Sequence, residues 1–199
     1  MSKFMIGKKV KNKKLMINDI FILAVRHQQK GNFEEAKKNY QEILKIDHDH
    51  FAATNNLGVV LIELKDYQEA KICLEKVIQM NPKHEKAYNN LGSALRELGD
   101  YQEAKECYEK AIKLDPNYEK AHINLGAVLT KSGELEKAKE CYEKVLKIYP
   151  NNADGHSNLG VIFKELGELQ KAKSCYEKAI QINPNHVFAL NNLGVLFHK

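Results

Sequence analysis

The chain repeats itself every 34 residues, and that period limits what it can fold into more than any other feature. Asn56, Asn90, Asn124, Asn158 and Asn192 stand 34 residues apart. So do Gly58, Gly92, Gly126, Gly160 and Gly194, the alanines Ala36, Ala70, Ala104, Ala138 and Ala172, and the prolines Pro82, Pro116, Pro150 and Pro184. Such a period marks a repeat architecture, in which one unit alone cannot bury its apolar surface and stacked units can. The array frames as residues 17–50, 51–84, 85–118, 119–152 and 153–186, with a partial unit at 187–199.

Each unit reads as two helices. In 85–118, Ala87, Leu91, Ala94, Leu95 and Leu98 form the stripe of a first amphipathic helix. Gly99 signals a turn. Tyr101, Ala104, Tyr108, Ala111, Ile112 and Leu114 form a second stripe, and Pro116 ends that helix because proline cannot continue it. The recurring "NLG" places a glycine inside the first helix, at about 1 kcal/mol relative to alanine. Close approach of a neighbouring helix explains that choice, and the recurring alanines serve the same packing from the second helix.

These features resemble the tetratricopeptide repeat (TPR) family: Leu-Gly in the first helix, Gly at the turn, Ala then Tyr in the second helix, and Pro at the end. The likeness covers about residues 17–199. It implies an all-α fold, a right-handed α–α superhelix or solenoid of five helix–turn–helix repeats plus one partial repeat, continuous along the chain. The family's early Trp slot is degenerate here, holding Ile20, Thr54, Tyr88, His122, His156 and Leu190. The first unit diverges most, with Ile22 in place of the asparagine, Ala24 of the glycine and His48 of the proline, which suits an amino-terminal cap. The wording of "NLG" and "AKECYEKAI" looks most like the TPR arrays of O-linked N-acetylglucosamine transferase-type proteins.

Composition excludes several function classes. With 43% apolar and 29% charged residues, the chain supports a sizeable core. Lys3, Lys8, Lys9, Lys11, Lys13 and Lys14 fall in the first 16 residues with no acid, and the net charge is +5, so residues 17–199 sum to −1. A near-neutral body argues against a nucleic-acid partner, because phosphate contacts dominate that affinity. Residues 1–16 are expected to be a flexible basic tail. No membrane insertion is expected, since no apolar run reaches the roughly 18 residues of a spanning helix, and no leader is recognisable, so the expected address is cytoplasmic.

The period also removes decoys. Cys73, Cys107, Cys141 and Cys175 are 34 apart, one per unit, and equivalent residues in a linear array are too distant for a disulfide or a shared zinc ion. His122 and His156 fill the degenerate aromatic slot, while His50, His84 and His186 each close a unit. No phosphate-binding loop and no nucleophile–base pair is recognisable. The chain is therefore read as having no catalytic residues, no metal and no cofactor.

The five asparagines remain. Each lies beside the core stripe of a first helix, together with Lys86 in one unit and Lys120 in the next. The TPR resemblance places this flank on the concave wall, so that Asn56, Asn90, Asn124, Asn158 and Asn192, with Lys86 and Lys120, form a candidate peptide-binding groove. An amide suits that role, since its one acceptor and two donors pair with both polar groups of an extended backbone. The competing reading is geometric, with each asparagine bonded to a neighbouring helix. Five helical asparagines cost about 0.5 kcal/mol each, and either reading supplies compensation. A carboxylate clamp of the kind some TPR domains use is matched by Lys86, Asn90 and Asn124 and fails at Asp154 and Asn158.

The expected function is a non-enzymatic scaffold that binds a protein or peptide partner. The alternative is a substrate-docking arm of a larger, glycosyltransferase-like enzyme. The final "VFALNNLGVLFHK" is one helix of a sixth unit, which leaves Val187, Leu190, Leu193, Leu196 and Phe197 without a covering helix. A longer parent protein is expected, or self-association through this end.

Overall fold

The computed structural model describes residues 3–197, and the side chains of 13–196. The helices are described in two compact units, Met1–Asp100 and Tyr101–Lys199. In the first, α1 (Lys3–Gln29), α2 (Phe33–Ile46), α3 (Phe51–Glu63), α4 (Tyr67–Met80) and α5 (Glu85–Leu98) pack each on the next, and α3 also meets α5. In the second, α6 (Tyr101–Leu114), α7 (Glu119–Lys131), α8 (Leu135–Ile148), α9 (Ala153–Glu165), α10 (Leu169–Ile182) and α11 (Val187–Phe197) follow the same rule. The odd-numbered helices touch their odd-numbered neighbours again, α7 on α9 and α9 on α11. The described residues contain helices and no strand.

From α3 onward, the first helices start at Phe51, Glu85, Glu119, Ala153 and Val187, the opening residues of the repeat frame. The sequence boundary at residue 17 falls inside α1, which runs unbroken across it. The tail side chains of residues 1–12 lie outside the described residues.

The turn within each repeat needs a left-handed residue to leave the first helix. Gly99 supplies it at φ 92°, and Lys65 fills the same slot at φ 64°, a strained choice for a residue with a side chain. The core follows the two stripes. Ala87, Leu91, Ala94 and Leu95 are buried, whereas Leu98 is 37% exposed because the helix ends there. Ala104, Tyr108 and Ala111 are buried, and Ile112 and Leu114 are half-buried.

The glycine of NLG has a direct physical cause. A methyl group at Gly126 or Gly160 would lie 2.6 Å from the ring of Tyr142 or Tyr176, and at Gly58 it would lie 2.8 Å from Leu74 Cγ. The second helix of each of these repeats lays a large side chain flat on the backbone of the first, and only glycine leaves the room.

Candidate functional site

The asparagine column follows from this packing. Leu57, Leu125 and Leu159 point into the core, and the residue before each one turns to the flank. Asn56 and Asn90 lie on α3 and α5 of the first unit; Asn124, Asn158 and Asn192 lie on α7, α9 and α11 of the second. All five are half-buried, and Lys86 and Lys120 are exposed. In the column immediately before, Asn89 (4%) and Ser157 (2%) are buried, Asn55 and Ile123 are half-buried and Asn191 is exposed.

The asparagines divide by their partners. Asn56 Nδ2 donates to Tyr40 Oη at 3.2 Å, and that hydroxyl donates to Gln28 Oε1 at 2.7 Å. This chain of bonds ties α1, α2 and α3 together, so Asn56 does serve repeat geometry. Its Oδ1 also accepts from Asn55 Nδ2 at 3.2 Å. In the next repeat Leu74 replaces the tyrosine and offers no hydroxyl. Asn90 Oδ1 accepts a weak bond from Asn89 Nδ2 at 3.4 Å, and its own Nδ2 has no acceptor among the described residues. Asn124 is engaged within the protein. Asn158 and Asn192 make no side-chain hydrogen bond among the described residues. Sequence reasoning had no means of separating these cases, because the letter is the same in all five.

The histidines are occupied by structure. With Nε2 protonated, His122 donates to the Pro116 carbonyl and His156 to the Pro150 carbonyl, each at 2.9 Å. An imidazole thus replaces the aromatic of the family pattern and also satisfies the proline turn. Burial pushes the His122 imidazole toward its neutral form. His50 Nδ1 accepts from the Ala53 N–H at 3.1 Å and caps α3. His186 Nδ1 accepts from the Ala189 N–H at 3.1 Å, and its Nε2 lies 3.0 Å from Asp154 Oδ1. At His50, Asn152 and His186 the last residue of a repeat thus caps the next helix, whereas His84 and Tyr118 at the same position make no capping bond.

Ionic contacts link neighbouring repeats in the same way. Lys37 Nζ is 2.6 Å from Asp66 Oδ2, and Lys105 Nζ is 2.9 and 3.1 Å from the two oxygens of Glu134. The Lys137 and Lys105 ammonium groups hold the Glu134 carboxyl down at about 2. Burial raises the thiols of Cys73, Cys141 and Cys175, Cys141 to about 11, so they stay protonated and unreactive. None of the four cysteines is in a disulfide, and all are half-buried. No group of three His, Cys, Asp or Glu fit to hold a metal occurs among the described residues, and no described helix is long and apolar enough to cross a membrane.

Comparison with known proteins agrees with this architecture. Models of the tetratricopeptide repeat match residues 85–118, 119–152 and 153–186, and further models of that repeat match 27–95 and 175–199. No curated protein sequence matches the chain. Among solved structures, the MamA protein is 26% identical with a TM-score of 0.73, covering 86% of this chain and 93% of its own. YrrB, described as a TPR protein with an unusual peptide-binding site, is 26% identical with a TM-score of 0.72, covering 94% and 96%. PilF of Pseudomonas aeruginosa, at 23% identity and a TM-score of 0.79 over 94% and 86%, shares the fold. With the repeat models in register with its helices, this chain belongs to the tetratricopeptide repeat family.

Proposed function

We propose that the chain is a non-enzymatic scaffold whose first helices hold an extended peptide or partner segment. Within each unit the amides contact ligand backbone, Asn56 and Asn90 in the first and Asn124, Asn158 and Asn192 in the second, and Lys86 in the first and Lys120 in the second favour acidic side chains at the rim. The observation that carries this reading is the idle amide. At Asn90, Asn158 and Asn192 a half-buried side chain keeps donors that no described residue accepts, and a peptide carbonyl supplies the missing acceptor. Their neighbours one turn on, Ser93, Val161 and Val195, are small enough to leave space for it. The likeness to YrrB, with its reported peptide-binding site, supports a peptide ligand. Four cysteines, none of them in a disulfide, agree with a cytoplasmic address. The alternative, a docking arm for a glycosyltransferase-like enzyme, rests on the wording of the repeat alone.

The division among the asparagines selects the test. Asn158→Ala with Asn192→Ala, both in the second unit, removes idle amides and breaks no internal bond. A peptide selected by display against the intact protein is expected to bind this double variant about tenfold more weakly, as two lost hydrogen bonds imply, while the urea midpoint stays put. Equal affinity for both proteins overturns the reading; a fallen midpoint assigns the amides to repeat geometry instead.

A further inference from the structure

We infer that the joint of α6, α7 and α8 is a binding site for a small amphipathic amine, a role separate from the asparagine column. The first observation is a cavity of about 240 Å³ at this joint, wholly inside the second unit. Ile112 of α6, His122 and Leu125 of α7 and Cys141 of α8 form its buried or half-buried floor. That floor is uncharged, because burial pushes the His122 imidazole down and the Cys141 thiol up to about 11. None of the five asparagines lines it.

The second observation is a lone pair with nothing to meet. His122 is 3% exposed, and its Nε2 donates to the Pro116 carbonyl at 2.9 Å. That tautomer leaves Nδ1 as an acceptor. No described residue donates to Nδ1, and it is not among the polar atoms sealed from solvent. The buried ring therefore opens through Nδ1 onto the cavity that it lines. An acceptor held so deep is ordinarily met by a donor, and here the protein supplies none.

The third observation is charge. Glu109, Glu140 and Lys144 stand exposed at the rim, and none of them makes a hydrogen bond or an ion pair among the described residues. After burial, Glu140 raises, Lys144 lowers and Glu109 raises the Cys141 thiol, so all three charges reach the same floor atom. Two carboxylates and one ammonium sum to −1. At the next joint, of α8, α9 and α10, the corresponding residues are Glu143, Ser174 and Lys178, which sum to zero. The excess of acid belongs to this joint. A protonated amine answers both features: its N–H groups serve a rim carboxylate and His122 Nδ1, and an apolar ring covers Ile112 and Leu125. A carboxylate ligand would meet two acids and one lysine, and a hydrocarbon would leave Nδ1 unmet. The volume falls below the roughly 300–1,000 Å³ of drug-sized sites, so the ligand is a single ring or a short chain.

Nitrogen-15 spectra of the histidine rings in the full chain test this, with phenethylamine, 2-phenylethanol and phenylacetic acid as probes at neutral pH. Phenethylamine should move the His122 Nδ1 signal and saturate, with a dissociation constant of about 1 mM, as befits so small a ligand. It should bind about fivefold more tightly than 2-phenylethanol, and phenylacetic acid should leave the signal in place. Glu109→Gln with Glu140→Gln, at exposed positions that leave the circular dichroism unchanged, should weaken phenethylamine about fivefold and leave 2-phenylethanol as it was. An Nδ1 signal that does not move by about 10 mM phenethylamine overturns the proposal. So does an equal response to phenylacetic acid, or an undiminished amine affinity in the double variant, either of which would make the cavity an unselective apolar cleft.

Discussion

Tyr40 and Tyr176 occupy the same slot in different repeats, and their hydroxyls meet opposite fates. Both rings are fully buried. Tyr40 Oη is held between Gln28 and Asn56. Tyr176 Oη is buried without a partner among the described residues, and burial pushes the phenol up to about 12. The ring is what both repeats need; at Tyr176 it covers Gly160. The hydroxyl is useful only where a neighbour takes it. Tyr40→Phe should therefore lose about 1 kcal/mol, the net worth of a bonded hydroxyl. Tyr176→Phe should be neutral or stabilising, because it removes an orphaned polar group from the core. Urea unfolding of the two variants distinguishes the cases, and equal losses would mean that Tyr176 Oη finds a partner in solution. Nothing in the sequence announces this difference. The Asn56–Tyr40 bond joins residues of adjacent repeats, and it vanishes at Asn90 through a single change, tyrosine to Leu74, in another helix.

At the scale of the element, the start of each second helix shows how neighbouring repeats are tied. Asp66 and Glu134 sit at the N-cap positions of α4 and α8, and neither side chain caps its helix. Each instead receives a lysine from the second helix of the preceding repeat, Lys37 from α2 and Lys105 from α6. The Glu134 carboxylate also lies near the positive end of the α8 dipole, which favours its charged form. For Glu134 the folded value falls from 4.5 to about 2, chiefly through Lys137 and then Lys105. A depressed carboxylate contributes stability that is complete above its unfolded value and is lost as pH falls toward the folded one. Between pH 4.5 and about 2, the wild-type protein should lose more stability than Glu134→Gln does. Thermal melts at the two ends of that window check it, and parallel losses would show that the lysines leave Glu134 in solution. Helices and turns were legible here because glycine, proline and the apolar stripes are local signals. The Lys105–Glu134 pair spans 29 residues and was not, since many charges of both signs compete for it on paper.

For the molecule as a whole, the period made the fold legible, and it left the surfaces to be found. The repeat frame anticipated where α3, α5, α7, α9 and α11 begin, because one unit's solution must serve every unit. It gave no warning that Leu15, Met16, Ile22 and Leu23 would lie exposed, since the departures of a first repeat follow no repeated rule. At α11 the sequence named Val187, Leu190, Leu193, Leu196 and Phe197; Val187 is 62% and Leu190 45% exposed, Leu193 and Leu196 are half-buried, and the Phe197 side chain lies outside the described residues, while Phe188 and Val195, which it did not name, are 75% and 50% exposed. Gly194 has nothing within 4 Å of an added methyl group, although Gly58, Gly126 and Gly160 are each filled by a side chain of the following helix. The self-association expected from the sequence is put to the test at this face. The helix carries no charged side chain, so two copies meet without repulsion. A helix of 11 residues is only about 16 Å long, and its face falls well short of the roughly 1,200 Å² that stable interfaces bury. The association should therefore be weak, with a dissociation constant of about 100 μM or higher. Sedimentation velocity should show the average mass rising from about 10 to about 500 μM protein, concentrations that bracket that constant. Phe188→Ser with Val195→Ser, both at exposed positions, should hold the protein monomeric across the same range. A mass independent of concentration in the wild-type protein, or a rise that survives the double substitution, would remove α11 as the contact.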